Sequence, residues 1–115
     1  MFGSSLTILV AALHLAFFAV ESFLWTTPAV RRRFGFTAEQ AEATKVLAAN
    51  QGVYNGALAA TLIWALVAAE RNAVLALLAF VVVVGVYGGA TAKKSIVFVQ
   101  ALPAAAAFAV TWAGA

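Results

Sequence analysis

The chain has 115 residues, of which 65% are hydrophobic and 10% are charged, and its net charge is +3. A single small domain of this composition is too apolar to remain soluble, so we expect an integral membrane protein. Because Cys is absent, disulfide frameworks, thiolate metal sites and Cys nucleophiles are excluded. The small positive charge suits membrane topology and anionic headgroups better than nucleic acid.

Four apolar runs are long enough to cross a membrane, since a helix needs about 20 apolar residues to span roughly 30 Å of hydrocarbon. The predicted helices cover about residues 4–26, 38–69, 72–92 and 95–114. Short connections make sequential helices antiparallel. The sequence therefore predicts an all-α fold, a four-transmembrane-helix up-down bundle, in a single integral membrane domain over residues 1–115.

Local signals support these breaks. Thr27 is followed by Pro28, which has no backbone N–H and suits the first turn of a new helix. Thr37 and Gln40 have the spacing of a capping box, which predicts the start of the second helix. Pro103 is expected to kink the fourth helix and to free the carbonyl of Val99.

The basic residues predict the orientation of the chain. One side of the membrane receives the first and third connections, and its basic residues are Arg31, Arg32, Arg33, Lys45, Lys93 and Lys94. The opposite side holds only Arg71. By the positive-inside rule the first side is cytoplasmic, and both termini face outside. The run of three Arg residues is alternatively a site for lipid phosphate.

Polar residues inside the apolar runs are predicted to form one layer. At a rise of about 1.5 Å per residue, Glu21 lies in the cytoplasmic half of the first helix, and His14 lies about two turns deeper. Further polar or amphipathic side chains lie at or near this layer, and they are Trp25, Asn50, Gln51, Tyr54, Asn55, Tyr87, Thr91 and Gln100. Every helix thus contributes to a predicted polar chamber.

The helical period of about 100° per residue assigns faces to these residues. His14 and Glu21 share a stripe on the first helix, and Asn50 and Tyr54 share a line on the second. The opposite side of the second helix carries small residues at four-residue spacing, namely Ala48, Gly52, Gly56 and Ala60. Such seams pack closely against a helix of the same chain or of a second copy, so a homodimer through Gly52/Gly56 or Gly85/Gly89 is one prediction.

Four segments also carry a resemblance to a known family. They are "HLAFFAVESFLW" from residue 14, "TKVLAANQGVYNG" from residue 44, "GVYGGAT" from residue 85 and "FVQALPA" from residue 98. Together they resemble the small bacterial membrane proteins of the domain of unknown function 1304 family, over nearly the whole chain. The resemblance implies a multi-pass four-helix fold in the bacterial inner membrane and a shared polar site, without an activity.

The predicted layer suggests three functions. Low dielectric disfavours the charged forms of Glu21 and His14, which makes proton exchange feasible. The first hypothesis is a site for a small lipophilic molecule, with isomerase-like proton transfer by Glu21, His14 and Tyr54. The ligand-binding residues would be Trp25, Asn50, Gln51, Asn55, Tyr87, Thr91 and Gln100.

Two other classes of function are consistent with the same residues. A proton-coupled exporter similar to the small multidrug transporters would use Glu21 as its membrane-embedded carboxyl. A structural or assembly subunit would use the polar residues only to fix helix packing. The predicted partners are the lipid bilayer and a small lipophilic ligand, without nucleic acid. No metal or cofactor is predicted, and haem ligation by His14 is disfavoured because the chain has no second His.

Overall fold

The structure, a computed structural model, describes residues 1–114, and every regular element in that range is helical. Ala115, the last residue of the predicted domain, lies outside the described residues. The helices are α1 (Phe2–Phe23), α2 (Pro28–Phe34), α3 (Ala38–Val67), α4 (Arg71–Thr91) and α5 (Leu102–Trp112), with a π-helical segment (Val97–Ala101) directly before α5. The all-α class is therefore confirmed.

A short helix, α2, occupies a connection for which the sequence predicted no helix. The first helix ends at Phe23, before the predicted residue 26, and Pro28 then occupies the first turn of α2. The carbonyl of Arg31 accepts hydrogen bonds from the backbone N–H groups of Gly35 and Phe36. Gly35 closes this turn in the left-handed region (φ 74°), which glycine adopts without the steric cost of a Cβ.

The start of α3 has the predicted capping box. The backbone N–H of Gln40 donates to the hydroxyl of Thr37 at 3.1 Å, and the backbone N–H of Thr37 donates to the side-chain oxygen of Gln40 at 2.8 Å. Both orphan donors at this helix end are satisfied locally. The capping box predicted from the Thr37–Gln40 spacing is confirmed.

A π-helical segment lies just before Pro103, where the sequence predicted a kink, and the kink itself stays a prediction. Here the backbone N–H of Leu102 donates to the carbonyl of Val97, one residue further back than in an α-helix. Pro103 follows at the start of α5 and supplies no N–H of its own. The α-helix α5 begins at Leu102, directly after the π-helical segment.

Contacts divide the chain into two compact units, and the first is His14–Leu58. In this unit α3 turns its small residues toward α1. A Cβ placed on Gly52 would lie 2.9 Å from the backbone nitrogen of Ser22, and one on Gly56 would lie 2.9 Å from the ring of Phe18. The backbones approach closely because these two positions carry no side chain.

The second unit comprises Met1–Leu13 together with the residues from Ala59 onward. Its core includes Leu62, Leu78 and Val81, which are fully buried. Gly85 lies against the π-helical segment, where an added Cβ would lie 2.8 Å from the backbone nitrogen of Ala101. Gly89 faces the side chain of Val97 in the same segment.

Both glycine seams are therefore occupied within the chain. Gly52 and Gly56 pack on α1, and Gly85 and Gly89 pack on the π-helical segment. The sequence allowed either a helix of the same chain or a helix of a second copy on these surfaces. The structure shows segments of the same chain there. A homodimer stays a prediction of the sequence.

Two helices are long and apolar enough to cross a membrane, and they are Phe2–Phe23 and Arg71–Thr91. The π-helical segment and α5 form a shorter apolar stretch, Val97–Trp112. Large apolar side chains are exposed on several helices, including Leu47, Val67, Val83, Phe98 and Trp112. Length and composition thus give a hint of membrane association.

Replacing Gly35 with alanine is expected to destabilise the protein by about 1 kcal/mol, because an L-residue is strained in the left-handed region. No atom lies within 4 Å of the added Cβ, so steric contact does not contribute. Unfolding in mixed detergent micelles would measure the loss. Gly35→Asn should cost less, since Asn tolerates this conformation. Alanine as stable as glycine would show that the turn is not held as described.

Candidate functional site

The centre of the candidate site is a hydrogen bond between α1 and α3. The side-chain nitrogen Nδ2 of Asn55 donates to Oε1 of Glu21 at 2.6 Å. Asn55 is buried and Glu21 is half-buried. Among residues 1–114, Asn55 is the residue that donates a hydrogen bond to the Glu21 carboxyl. The second carboxyl oxygen accepts no hydrogen bond from these residues.

The close packing at Gly52 brings this pair together. Gly52 lies one helical turn before Asn55 on α3, and its missing side chain admits the backbone of Ser22 and the Cβ of Glu21. Ser22 strengthens the same junction, since its hydroxyl donates to the carbonyl of Ala49 at 3.0 Å. A seam of small residues thus fixes the position of the carboxyl.

An open cavity of about 330 Å³ lies beside this junction, and we name it the Glu21 cavity. Its polar lining residues are Glu21, Ser22, Thr26, Lys45 and Asn50, and its apolar lining residues are Phe23, Trp25, Val46 and Ala49. A pocket with a few polar groups and an apolar wall suits a ligand with a polar head and an apolar body.

The polar lining groups differ in how much hydrogen-bonding capacity they retain. Nδ2 of Asn50 donates to the carbonyl of Val46 at 2.8 Å, which leaves the side-chain oxygen of Asn50 as an acceptor. Lys45 forms an exposed ion pair with Glu42 on the same helix. Nε1 of Trp25 donates to the hydroxyl of Thr44 at 3.0 Å, which holds the indole at the edge of the cavity. The lining thus offers mainly acceptors around Glu21.

Three of the predicted site residues line the Glu21 cavity, and a fourth supports it. The lining residues are Glu21, Trp25 and Asn50, and Asn55 donates a hydrogen bond to Glu21. Their roles in binding a ligand remain predictions. What the structure establishes is their proximity.

Other predicted site residues lie elsewhere. His14 is 1% exposed, packs edge-on against Phe17 with ring centroids 5.2 Å apart, and does not line the cavity. Tyr54 is 73% exposed, and Gln51 beside it is also exposed. Of the three predicted catalytic residues, only Glu21 lines the cavity, and the catalytic roles stay predictions.

The residues predicted on the third and fourth helices lie in the other compact unit. Tyr87 is 70% exposed, and its carbonyl accepts a hydrogen bond from the hydroxyl of Thr91 at 2.7 Å. Thr91 is exposed and Gln100 is half-buried, within the π-helical segment.

Packing decides which face of the second predicted helix lies against α1. The sequence placed Asn50 and Tyr54 toward a central chamber and the small residues toward a helix of the same chain or of a second copy. In the structure Gly52 and Gly56 face α1, whereas Asn50 and Tyr54 are exposed. Close backbone contact therefore decided the rotation of α3. Asn55 faces α1 because it lies on the glycine side.

Sequence reasoning missed several cavity residues, including Ser22, Lys45 and Ala49. A signal for them existed, since Lys45 and Ala49 are four residues apart and so are Val46 and Asn50. Both pairs face the same direction on a helix. Within the described residues, no group of three or more His, Cys, Asp or Glu side chains could hold a metal ion.

These features define an all-α chain with two helices that are long and apolar enough to cross a membrane. The chain belongs to the family described as "Protein of unknown function (DUF1304)", which matches residues 8–112. It is 32% identical over 99 residues to the uncharacterized protein YpaA of Lactococcus lactis subsp. lactis (strain IL1403), covering 83% of each protein. No solved structure matches the chain. The resemblance in the four sequence segments is confirmed.

Proposed function

We propose that this protein is a membrane-embedded binding protein for a small amphiphilic molecule, which it holds in the Glu21 cavity. The observation that carries the proposal is the half-buried carboxyl of Glu21, paired with Asn55 and facing an open cavity with an apolar wall. A carboxyl within an apolar helix is costly and is a functional candidate by default. The ligand would place a hydroxyl or amine against Glu21 and an apolar body against Phe23 and Trp25.

Exposed apolar surface supports a membrane location. Soluble monomers rarely expose large contiguous apolar patches, yet large apolar side chains are exposed on α1, α3, α4 and α5. We propose four crossings, made by α1, α3, α4 and the Val97–Trp112 stretch. With 30 residues, α3 is about 45 Å long, so its first turns extend beyond the hydrocarbon. The charged residues of those turns are Glu39, Glu42 and Lys45.

The basic residues support one orientation in the proposed bacterial inner membrane. Arg31, Arg32 and Arg33 on α2 would lie on the cytoplasmic side, and the termini would lie outside. Lys45 lines the Glu21 cavity. The cavity would then open toward the cytoplasmic headgroup region, where an amphiphile can enter with its polar end near the surface.

Binding has more support than isomerase-like chemistry. Proton transfer across a substrate needs two groups within hydrogen-bond reach of the reacting atoms. Glu21 lines the cavity, whereas His14 and Tyr54 do not. The geometry therefore supports Glu21 as one group that could exchange a proton with a ligand, without a second group beside it for isomerisation.

Intrinsic fluorescence can test the proposal. Replacing Trp64 and Trp112 with Phe leaves Trp25, which lines the cavity, as the single reporter; both replaced residues are exposed. Decylamine, decanol and decanoate share a chain length and differ in headgroup. Decylamine should bind at least about tenfold more tightly than decanoate, because a hydrogen bond to a charged group contributes roughly 1.5–3 kcal/mol.

Matched variants locate the response. Ala49→Leu fills the cavity and should weaken the binding of all three probes, whereas Ala60→Leu, on an exposed position of the same helix, should leave binding unchanged. Glu21→Gln should remove the preference for decylamine over decanoate. Equal titrations for Ala49→Leu and its parent would contradict a ligand site in this cavity. No saturable response to any probe would favour a structural subunit.

A proton-coupled exporter is the second candidate, because the cavity that holds the Glu21 carboxyl is open. In vesicles, a decylamine gradient would then drive a pH change that Glu21→Gln abolishes. Saturable binding of decylamine without such a pH change would support binding alone.

A further inference from the structure

Helix α2 concentrates positive charge directly after α1, one of the two helices long enough to cross a membrane. Its last turn contains Arg31, Arg32 and Arg33, of which Arg32 and Arg33 are exposed. No acidic residue occurs between Glu21 and Glu39. The three guanidinium groups are therefore not neutralised by neighbours in sequence.

An aromatic cluster, formed by Trp25, Phe34 and Phe36, borders these Arg residues. The ring of Trp25 lies 5.7 Å from that of Phe34 and 5.1 Å from that of Phe36, and the two Phe rings stack at 6.0 Å. Gly35 lies between the two Phe residues and has a left-handed conformation. Aromatic side chains next to basic ones are typical of segments at the level of lipid headgroups.

One Arg side chain has an unmet hydrogen-bonding group. Within the described residues, Nε of Arg31 is buried and has no hydrogen-bond partner. A buried donor without an acceptor costs free energy. An oxygen-rich anion would pair this donor once the Arg31 side chain turned outward, whereas Arg32 and Arg33 are already exposed.

From these three observations we propose that α2 and the aromatic cluster form a binding site for the phosphate of an anionic phospholipid in the surrounding leaflet. A planar guanidinium donates two parallel hydrogen bonds to two phosphate oxygens. The aromatic rings contact the glycerol and upper acyl region of the lipid. The site shares with the proposed function the membrane location of α1, and it does not depend on a ligand in the Glu21 cavity.

Native mass spectrometry of the purified full chain can test this site, with phosphatidylglycerol and phosphatidylcholine added to the micelles. The wild-type protein should retain phosphatidylglycerol in preference. Arg32→Gln/Arg33→Gln removes two exposed charges and should weaken phosphatidylglycerol binding roughly thirtyfold. Lys93→Gln/Lys94→Gln is the matched control, since these two exposed residues carry the same charge. It should change binding by less than about threefold.

Equal losses in the two double variants would overturn the site in favour of diffuse attraction. Arg32→Lys/Arg33→Lys keeps the charge and should bind about fivefold more weakly than wild type, because an ammonium cannot pair two oxygens in a plane. Binding equal to wild type would contradict the guanidinium geometry. Inorganic phosphate in excess should not displace the lipid, and complete displacement would show a site for free phosphate.

Discussion

Gly52→Ala should destabilise the protein by about 2 kcal/mol, although alanine is intrinsically the better helix former by about 1 kcal/mol. The added Cβ would lie 2.9 Å from the backbone nitrogen of Ser22 and 3.0 Å from the Cβ of Glu21. Because backbone atoms cannot move aside alone, α1 and α3 must separate. Reversible unfolding in mixed detergent micelles would measure the change.

Gly88→Ala is the matched control, since the same methyl group is added within α4. There the nearest atom is the side-chain Cγ2 of Ile96, at 3.2 Å, and a side chain can adjust. We expect the free energy of unfolding to change by less than about 0.5 kcal/mol, with either sign. A Gly52 variant as stable as the Gly88 variant would mean that α1 and α3 do not approach as closely as described.

Asn55→Leu should cost about 1–3 kcal/mol, because it leaves the half-buried Glu21 carboxyl without the hydrogen bond from Nδ2. The same substitution in a Glu21→Leu background should be nearly neutral, since both polar partners are then absent. The double-mutant cycle is therefore expected to give a coupling energy of about 1–2 kcal/mol.

Asn50→Leu provides a control on the same helix. Asn50 is exposed and bonds to its own helix at Val46, so its replacement should change stability by less than about 0.5 kcal/mol and show no coupling to Glu21. Additive effects of the Glu21 and Asn55 substitutions, within about 0.5 kcal/mol, would contradict their contact.

The sequence predicted the features that depend on local chemistry. The all-α class followed from long apolar runs, and the start of α3 followed from the reciprocal bonds that Thr37 and Gln40 can make. Each of these features is determined within a few residues, so no knowledge of packing was needed.

The rotation of α3 about its axis could not be obtained in the same way. Its wheel has a polar side and a glycine side, and either can face a neighbouring helix in a membrane. Which one does depends on how closely two backbones approach, a property of the pair of helices. The structure turns Gly52 toward α1, and it therefore brings Asn55 to Glu21 and exposes Tyr54.

Helix α2 escaped prediction for a related reason. Seven residues from Pro28 to Phe34 are too few to show a helical period. The turn depends on the left-handed conformation of Gly35, and a single glycine in a connection has many other uses. The cluster of Trp25, Phe34 and Phe36 arises only when that turn has formed.

The π-helical turn at Val97–Ala101 has a consequence for variation in chain length. A π-turn contains one residue more than an α-turn, while the helix faces before and after it keep their directions. Loss of one residue from this segment would convert it to α-helix while Ala104 and Ala107, both fully buried, kept their phase against α4. Relatives that are one residue shorter at this point are thus expected to bury the same side of this helix. In an ordinary α-helix the same deletion would turn the following residues to a different face, whereas here it is tolerated.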